Sequence, residues 1–246
     1  MRGQSGYELW FNRDEVVSRA AELPPRHWPG AETGSGFIAP VDGARGGTWL
    51  AVNERGMTVA LLNDYGVSWR PASPSRSRGD VVVAVARLAG IAGAGALLAA
   101  DALRNTAAFT LVVLEAGGSG ASWNWDGTRV LETRGEGVAE FFSSSSYRTA
   151  EVIAARAAAY ARAAASAGPG AEEKTWRAYH FSHDTARGAE SVLMRRADAN
   201  TRSVCRVRVT ATRIELEYVR VLRGALVPEA GESATWSLPP LGGPQV

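Results

Sequence analysis

Asn12, Arg13, Asp14 and Glu15 set an amide, a guanidinium and two carboxylates side by side. An arginine beside a carboxylate can form a local ion pair that closes a strand. It can also set the charge of a nearby amine or thiol. Asn63 ends an apolar run just before Asp64-Tyr65-Gly66; its side-chain N–H groups can meet a developing oxyanion, or serve a turn. Ser143–Ser146, with Ser144 inside it, precedes an Ala-rich stretch. A hydroxyl or backbone N–H there can bind an anion or cap a helix. His180, Ser182, His183 and Asp184 lie in HFSHD, the material for a metal pair or a Ser/His/Asp set. In an extended segment positions 180 and 183 point to opposite faces, and His27 lies in a Pro-rich loop. No metal site is therefore expected, and a cap before Gly188 is the ordinary reading. Cys205, the single cysteine, falls in a β-patterned run and reads as a small buried hydrophobe.

The elements that must position these groups belong to an ordinary globular chain. Its 246 residues are 46% hydrophobic and 21% charged, enough for a substantial core and unlike a disordered tail. The net charge is 27 − 25 = +2, and with Lys174 the one lysine the other 26 basic residues are arginines scattered along the chain. No basic stripe is present, so no nucleic-acid partner is expected. A lone cysteine argues for a reducing compartment, and MRGQSGYELWFNRDE lacks the apolar region of a secretory signal. The longest uncharged apolar stretch, Leu88–Ala100, has 13 residues, against the roughly 18 needed to cross a bilayer. A cytoplasmic protein with no membrane span is expected.

Tyr7–Asn12 reads as a strand, followed by RDE and a loop through Pro24, Pro25 and Pro29. Thr48–Asn53 and Met57–Asn63 form a hairpin around Glu54-Arg55-Gly56. A helical block spans about Asp80 to Arg104, with a break at GIAGAG. Phe109–Glu115, Ser122–Asp126 and Arg129–Thr133 read as a meander turning at Asp126-Gly127, and Tyr147–Ala165 as a serine-capped helix stopped by Gly168-Pro169-Gly170. Ser191–Arg196, Arg202–Ala211 and Arg213–Val219 complete the strands, before a Pro-rich tail from about residue 225 containing Trp236. Strands and helices in segregated runs argue for an α+β fold, two facing antiparallel sheets covered by helices, in a single domain over residues 1–246.

Three stretches carry a resemblance: FNRDE at Phe11–Glu15, GGTWLAVNERGMTVALLN at Gly46–Asn63, and SHDTARGAESVLMRRADANTRS at Ser182–Ser203. At this spacing they resemble the NRDE family, also called the transport and Golgi organisation protein 2 family, from Tyr7 to about Tyr218. The resemblance implies a four-layer αββα fold of the N-terminal-nucleophile-hydrolase type, similar to the choloylglycine hydrolase and penicillin V acylase group. Those enzymes cleave linear amides with an N-terminal cysteine whose own α-amine acts as base. By that resemblance Arg13 and Asp14 would flank the nucleophile and its amine, with Glu15 a substitute for Asp14. Asn63 would help hold the oxyanion, and Asn12 and Ser144 would line the site as binding residues. The implied partner is a small acylated amine, with no cofactor. The alternative is a non-catalytic carrier, since eukaryotic relatives are linked to haem, lipid or acyl-CoA handling.

Members of that family usually begin Met-Cys, with the cysteine opening a first strand hairpinned to the one that ends in NRDE. Here MRGQSG precedes Tyr7. The expectation is that the first strand and its nucleophile lie upstream of Met1, with Gly6 in the hairpin turn; the alternative is a true truncation.

Overall fold

A computed structural model describes residues 2–3, 6–32, 34–69, 71, 76–135, 140–168, 172–222 and 230–239. Two antiparallel sheets face each other. In the first, β1 (Arg2–Gly3), β2 (Gly6–Val16), β10 (Ala199–Thr210), β11 (Arg213–Val221) and β12 (Ala230–Leu238) follow one another in that order. The second runs β3 (Leu23–Trp28), β4 (Phe37–Val41), β5 (Leu50–Asn53), β6 (Thr58–Asn63), β7 (Phe109–Leu114), β8 (Gly120–Trp125) and β9 (Val130–Arg134).

The layers follow from side chains alternating across each strand. Ile38, Leu50, Val52 and Ala60 of the second sheet meet Cys205, Val207, Ile214 and Leu216 of the first in one buried cluster. Their sequence neighbours Ala39, Ala51, Val59 and Leu61 point the other way, onto α1 (Arg78–Ala86) and the short α2 (Ala94–Leu97) and α3 (Ala100–Leu103). Central strands apolar on both faces need cover on both sides, and α1–α3 supply it. Outside the first sheet lie α4 (Thr149–Ser166) and α5 (Glu172–His180), where Trp176 and Tyr179 pack with Trp10 of β2. The order is αββα, as the resemblance implied.

The hairpin, the broken helical block, the meander and the buried strand around Cys205 stand where the residues place them. Other expectations are corrected. RDE does not follow β2 but continues it, because Asp14 and Glu15 pair with Thr201 and Asn200. Pro24 and Pro25 lie inside β3, an edge strand where a missing N–H costs no ladder bond. Ser191–Arg196 forms no strand beyond an isolated bridge at Arg195, and HFSHD begins at the end of α5 rather than in an extended segment. Arg148, at φ 43°, precedes α4 without a side-chain cap, so no serine plays that part. Trp236, read as tail, belongs to β12 opposite Leu216.

Gly6 opens β2 at φ 155°, and a Cβ there would stand 2.0 Å from the Val209 carbonyl oxygen. Only glycine fits that approach. Beside it β1 pairs Arg2 with Tyr7 and Gly3 with Gly6. Beyond those two rungs, no strand pairs with Glu8–Val16 on the side away from β10 among the described residues.

Candidate functional site

That open edge borders a cleft of about 550 Å³, to which every residue from Glu8 to Val16 contributes. Its other walls come from the Asp42–Trp49 region, the end of β6, the start of α1, the 140–146 segment, and α4 and α5.

Arg13 and Asp14 both reach the cleft, yet they leave β2 on opposite faces. Arg13, 5% exposed, points between the sheets. Its Nη2 donates to Asp42 Oδ2 at 2.9 Å and Glu15 Oε2 at 3.3 Å, and its Nη1 to Glu22 Oε2 at 3.4 Å. The guanidinium also lies 4.2 Å over the Trp49 ring. Arg19 grips Asp42 through both carboxylate oxygens, at 2.8 and 2.9 Å. Burial pushes the Asp42 carboxyl up, but the hydrogen bonds and charge of Arg19, the Arg45 N–H and the charge of Arg13 outweigh it. Asp42 is therefore held below the usual carboxylate range. Arg202, 2% exposed, adds a second cation on Glu22 at 3.3 Å.

Asp14 turns toward the helical layer. Arg156 of α4 donates to its Oδ2 at 3.0 Å and Thr201 to its Oδ1 at 2.6 Å. Arg156 also holds the carbonyls of Ser191 and Ser144, tying α4 to both loops. Arg13 and Asp14 thus form no pair with each other; the local ion pair of this segment is Arg13 with Glu15, while Asp14 takes its partners from α4 and β10.

The remaining candidates divide similarly. Glu15 faces Arg13 and Arg19 at the mouth of this network. Asn63 donates to the Tyr65 hydroxyl at 2.9 Å on the cleft wall. Ser144 lines the cleft and offers its carbonyl, not its hydroxyl, to Arg156. Asn12 is a fastener: its amide donates to the carbonyls of His180 and Val192 at 2.9 and 3.0 Å. With both N–H groups so used, its oxygen can only accept, so His180 Nδ1 carries the proton across 2.7 Å. Trp10 stacks on that imidazole at 5.3 Å, and burial pulls the His180 pKa down to about 3, leaving a neutral ring at the cleft. His183 Nδ1 donates to the Leu193 carbonyl oxygen at 2.9 Å, since a carbonyl can only accept. The two histidines are separately tied, and no group of three metal-ligating side chains exists among the described residues. Cys205 is fully buried, its thiol pushed up by burial, and is not part of the cleft wall.

Reading the sequence missed Glu22, Asp42, Arg156 and Thr201. Two had local signals: Asp42 begins an Asp-Gly turn, capping the N–H groups of Ala44 and Arg45, and Arg156 sits four residues after buried Val152, on the same helical face. Glu22 and Thr201 had none. In the described residues no helix is long and apolar enough to cross a membrane.

Comparison with curated proteins yields no match. Among solved structures, the chain is similar to the penicillin V acylase of Agrobacterium tumefaciens, with 16% identity and a TM-score of 0.48 over 90% of this chain and 80% of that one. It is also similar to two variants of the conjugated bile acid hydrolase of Clostridium perfringens. One gives 10% identity and a TM-score of 0.46 over 94% and 93% of the two chains. The other gives 11% and 0.44 over 94% and 96%. Residues 4–143 match the family described as Transport and Golgi organisation 2, more than half of the chain, and to that family the chain belongs.

Proposed function

We propose that the cleft beside β2 hydrolyses a linear amide, taking a small acylated amine, and that its nucleophile is a cysteine on a strand laid along the open edge of β2. The carrying observation is that edge itself: Leu9–Glu15 lines the cleft and on its outer side pairs with no strand among the described residues. Unpaired N–H and C=O groups in a partly buried strand are costly, so a strand there would be stabilising. It would bring a terminal amine and thiol alongside Arg13 and Asp14. Asp14 would hold the ammonium, Arg13 would favour the thiolate, and Asn63 would offer an N–H to the tetrahedral oxygen. Asn12 and Ser144 would shape the pocket through the bonds they make.

The test is the intact mass and N-terminal sequence of the protein from its native host, followed by incubation with N-octanoyl amines. An N-terminal cysteine that gains one octanoyl group supports the reading. A folded protein beginning at Met1 that forms no acyl adduct overturns it.

A second reading has its own observation. Phe141, Tyr160, Trp176 and Tyr179 form a continuous aromatic contact set near the same cleft. Such a wall suits a non-catalytic carrier of haem, lipid or an acyl-CoA. Stoichiometric uptake without turnover would favour it.

A further inference from the structure

The α4–α5 end of the cleft is walled by aromatic rings whose polar tips are already engaged. The Trp10 N–H donates to Glu8 Oε1 at 2.6 Å. The Tyr160 hydroxyl faces the Glu140 carboxylate, and the Tyr179 hydroxyl donates to the Arg156 carbonyl at 3.4 Å. These side chains turn apolar ring surface to the cleft, with their polar atoms committed elsewhere.

His180 differs. Asn12 spends both amide N–H groups on carbonyls, so its oxygen accepts from His180 Nδ1 and the ring proton is fixed on that side. Nε2 is then a bare lone pair, and among the described residues no donor reaches it. Trp10 covers one face of the ring at 5.3 Å, Tyr179 stands edge-on at 4.9 Å, and Asn12 holds the Nδ1 edge. The half-buried ring lines the cleft, so the edge carrying Nε2 is the one left to face it. Burial, with no contribution from a charged group among the described residues, holds the imidazole neutral. A bare acceptor in an aromatic wall is half of a hydrogen bond. A ligand that covers it without a donor leaves it unsatisfied, whereas an N–H or O–H completes it.

We propose that His180 Nε2 is the polar recognition point of the aromatic end. It accepts a hydrogen bond from a neutral N–H or O–H group of a ligand whose apolar body lies against Tyr160 and Trp176. The inference rests on the cleft taking a small molecule, and is independent of hydrolysis. For an acylated amine, the matching donor is the amide N–H.

The experiment compares two isomers by calorimetry on the full chain: 1-octanol, which carries an O–H, and heptyl methyl ether, which can only accept. It is repeated with His180→Phe, whose melting temperature is checked against the parent. Octanol should bind about fivefold more tightly than the ether, and the variant should erase that margin. A second measurement does not depend on the variant folding. The chain has three histidines, His27, His180 and His183, so nitrogen NMR of histidine-labelled protein can follow the Nε2 of each. The Nε2 signal of one ring should move on adding octanol and stay in place with the ether, and a folded His180→Phe variant should lack it. Equal binding of the isomers, no uptake of either, a folded variant that keeps the margin, or Nε2 signals that octanol leaves unmoved would overturn the inference. Because neither probe contains an amide, failure to form an acyl adduct would leave it intact.

Discussion

Arg13 and Asp14 are neighbours in sequence, and the chain treats them in opposite ways. Arg13 enters the space between the sheets, where it and Arg202 are nearly inaccessible and Glu22 stands at 8% exposure. Asp14 enters the seam beneath α4, where its side chain keeps 23% exposure. The alternation of a strand is enough to produce the split. The inter-sheet side is a closed electrostatic network in which each charge depends on the others. The helical side is a partly solvated pair that water can repair.

That contrast sets an order of expected effects. Replacing Arg13 with alanine leaves Glu22 and Asp42 short of a buried cation, and should cost about 3–5 kcal/mol in urea unfolding. Replacing Arg156 with alanine removes its bonds to Asp14 and to two carbonyls, but water can reach the carboxylate. About 1–3 kcal/mol is expected, and a cost equal to that of the Arg13 variant would break the contrast.

A third measurement uses His180, on the helical side. Its pKa lies at about 3 in the folded protein, against roughly 6.5 when unfolded. The unfolded chain therefore binds the extra proton between these values, so stability falls as pH drops below about 6.5. The slope should approach 1.4 kcal/mol per pH unit between about pH 6 and 4.5. His180→Gln should flatten this part of the profile; an unchanged slope would show that His180 is already solvated or charged. The smallest effect is expected at Asn63, whose one bond reaches an exposed tyrosine. Asn63→Ala should change stability by less than about 0.5 kcal/mol. Under the proposed hydrolysis it should still slow acyl-adduct formation, by roughly a hundredfold. Stability and acylation together separate a residue that builds the site from one that uses it.

Much of the fold was legible because local rules were obeyed. The hairpin at Glu54-Arg55-Gly56 and the turn at Asp126-Gly127 used residues whose chemistry fits those turns. The Ala-rich run formed α4 from Thr149 to Ser166. Where reading failed, longer-range pairing was responsible. Nothing near Arg13 shows that β2 must run on to Val16; its pairing with Ala199 does. The prolines of β3 looked like loop residues until that strand proved to lie at a sheet edge. The Trp236 segment has few local β signals, yet β11 gives it a partner.

The sequence by itself determined the family through its motifs, the α+β class through its segregated strands and helices, and the chemical identity of Arg13, Asp14 and Asn63. Tertiary structure alone decided which groups face them. Glu22 lies 9 residues from Arg13, Asp42 29 and Arg156 142 from Asp14, and no pattern within one segment encodes such meetings. Burial then separates their roles. A carboxylate shut between two sheets must find a cation, while one at the rim of a cleft can share its charge with solvent or with a ligand.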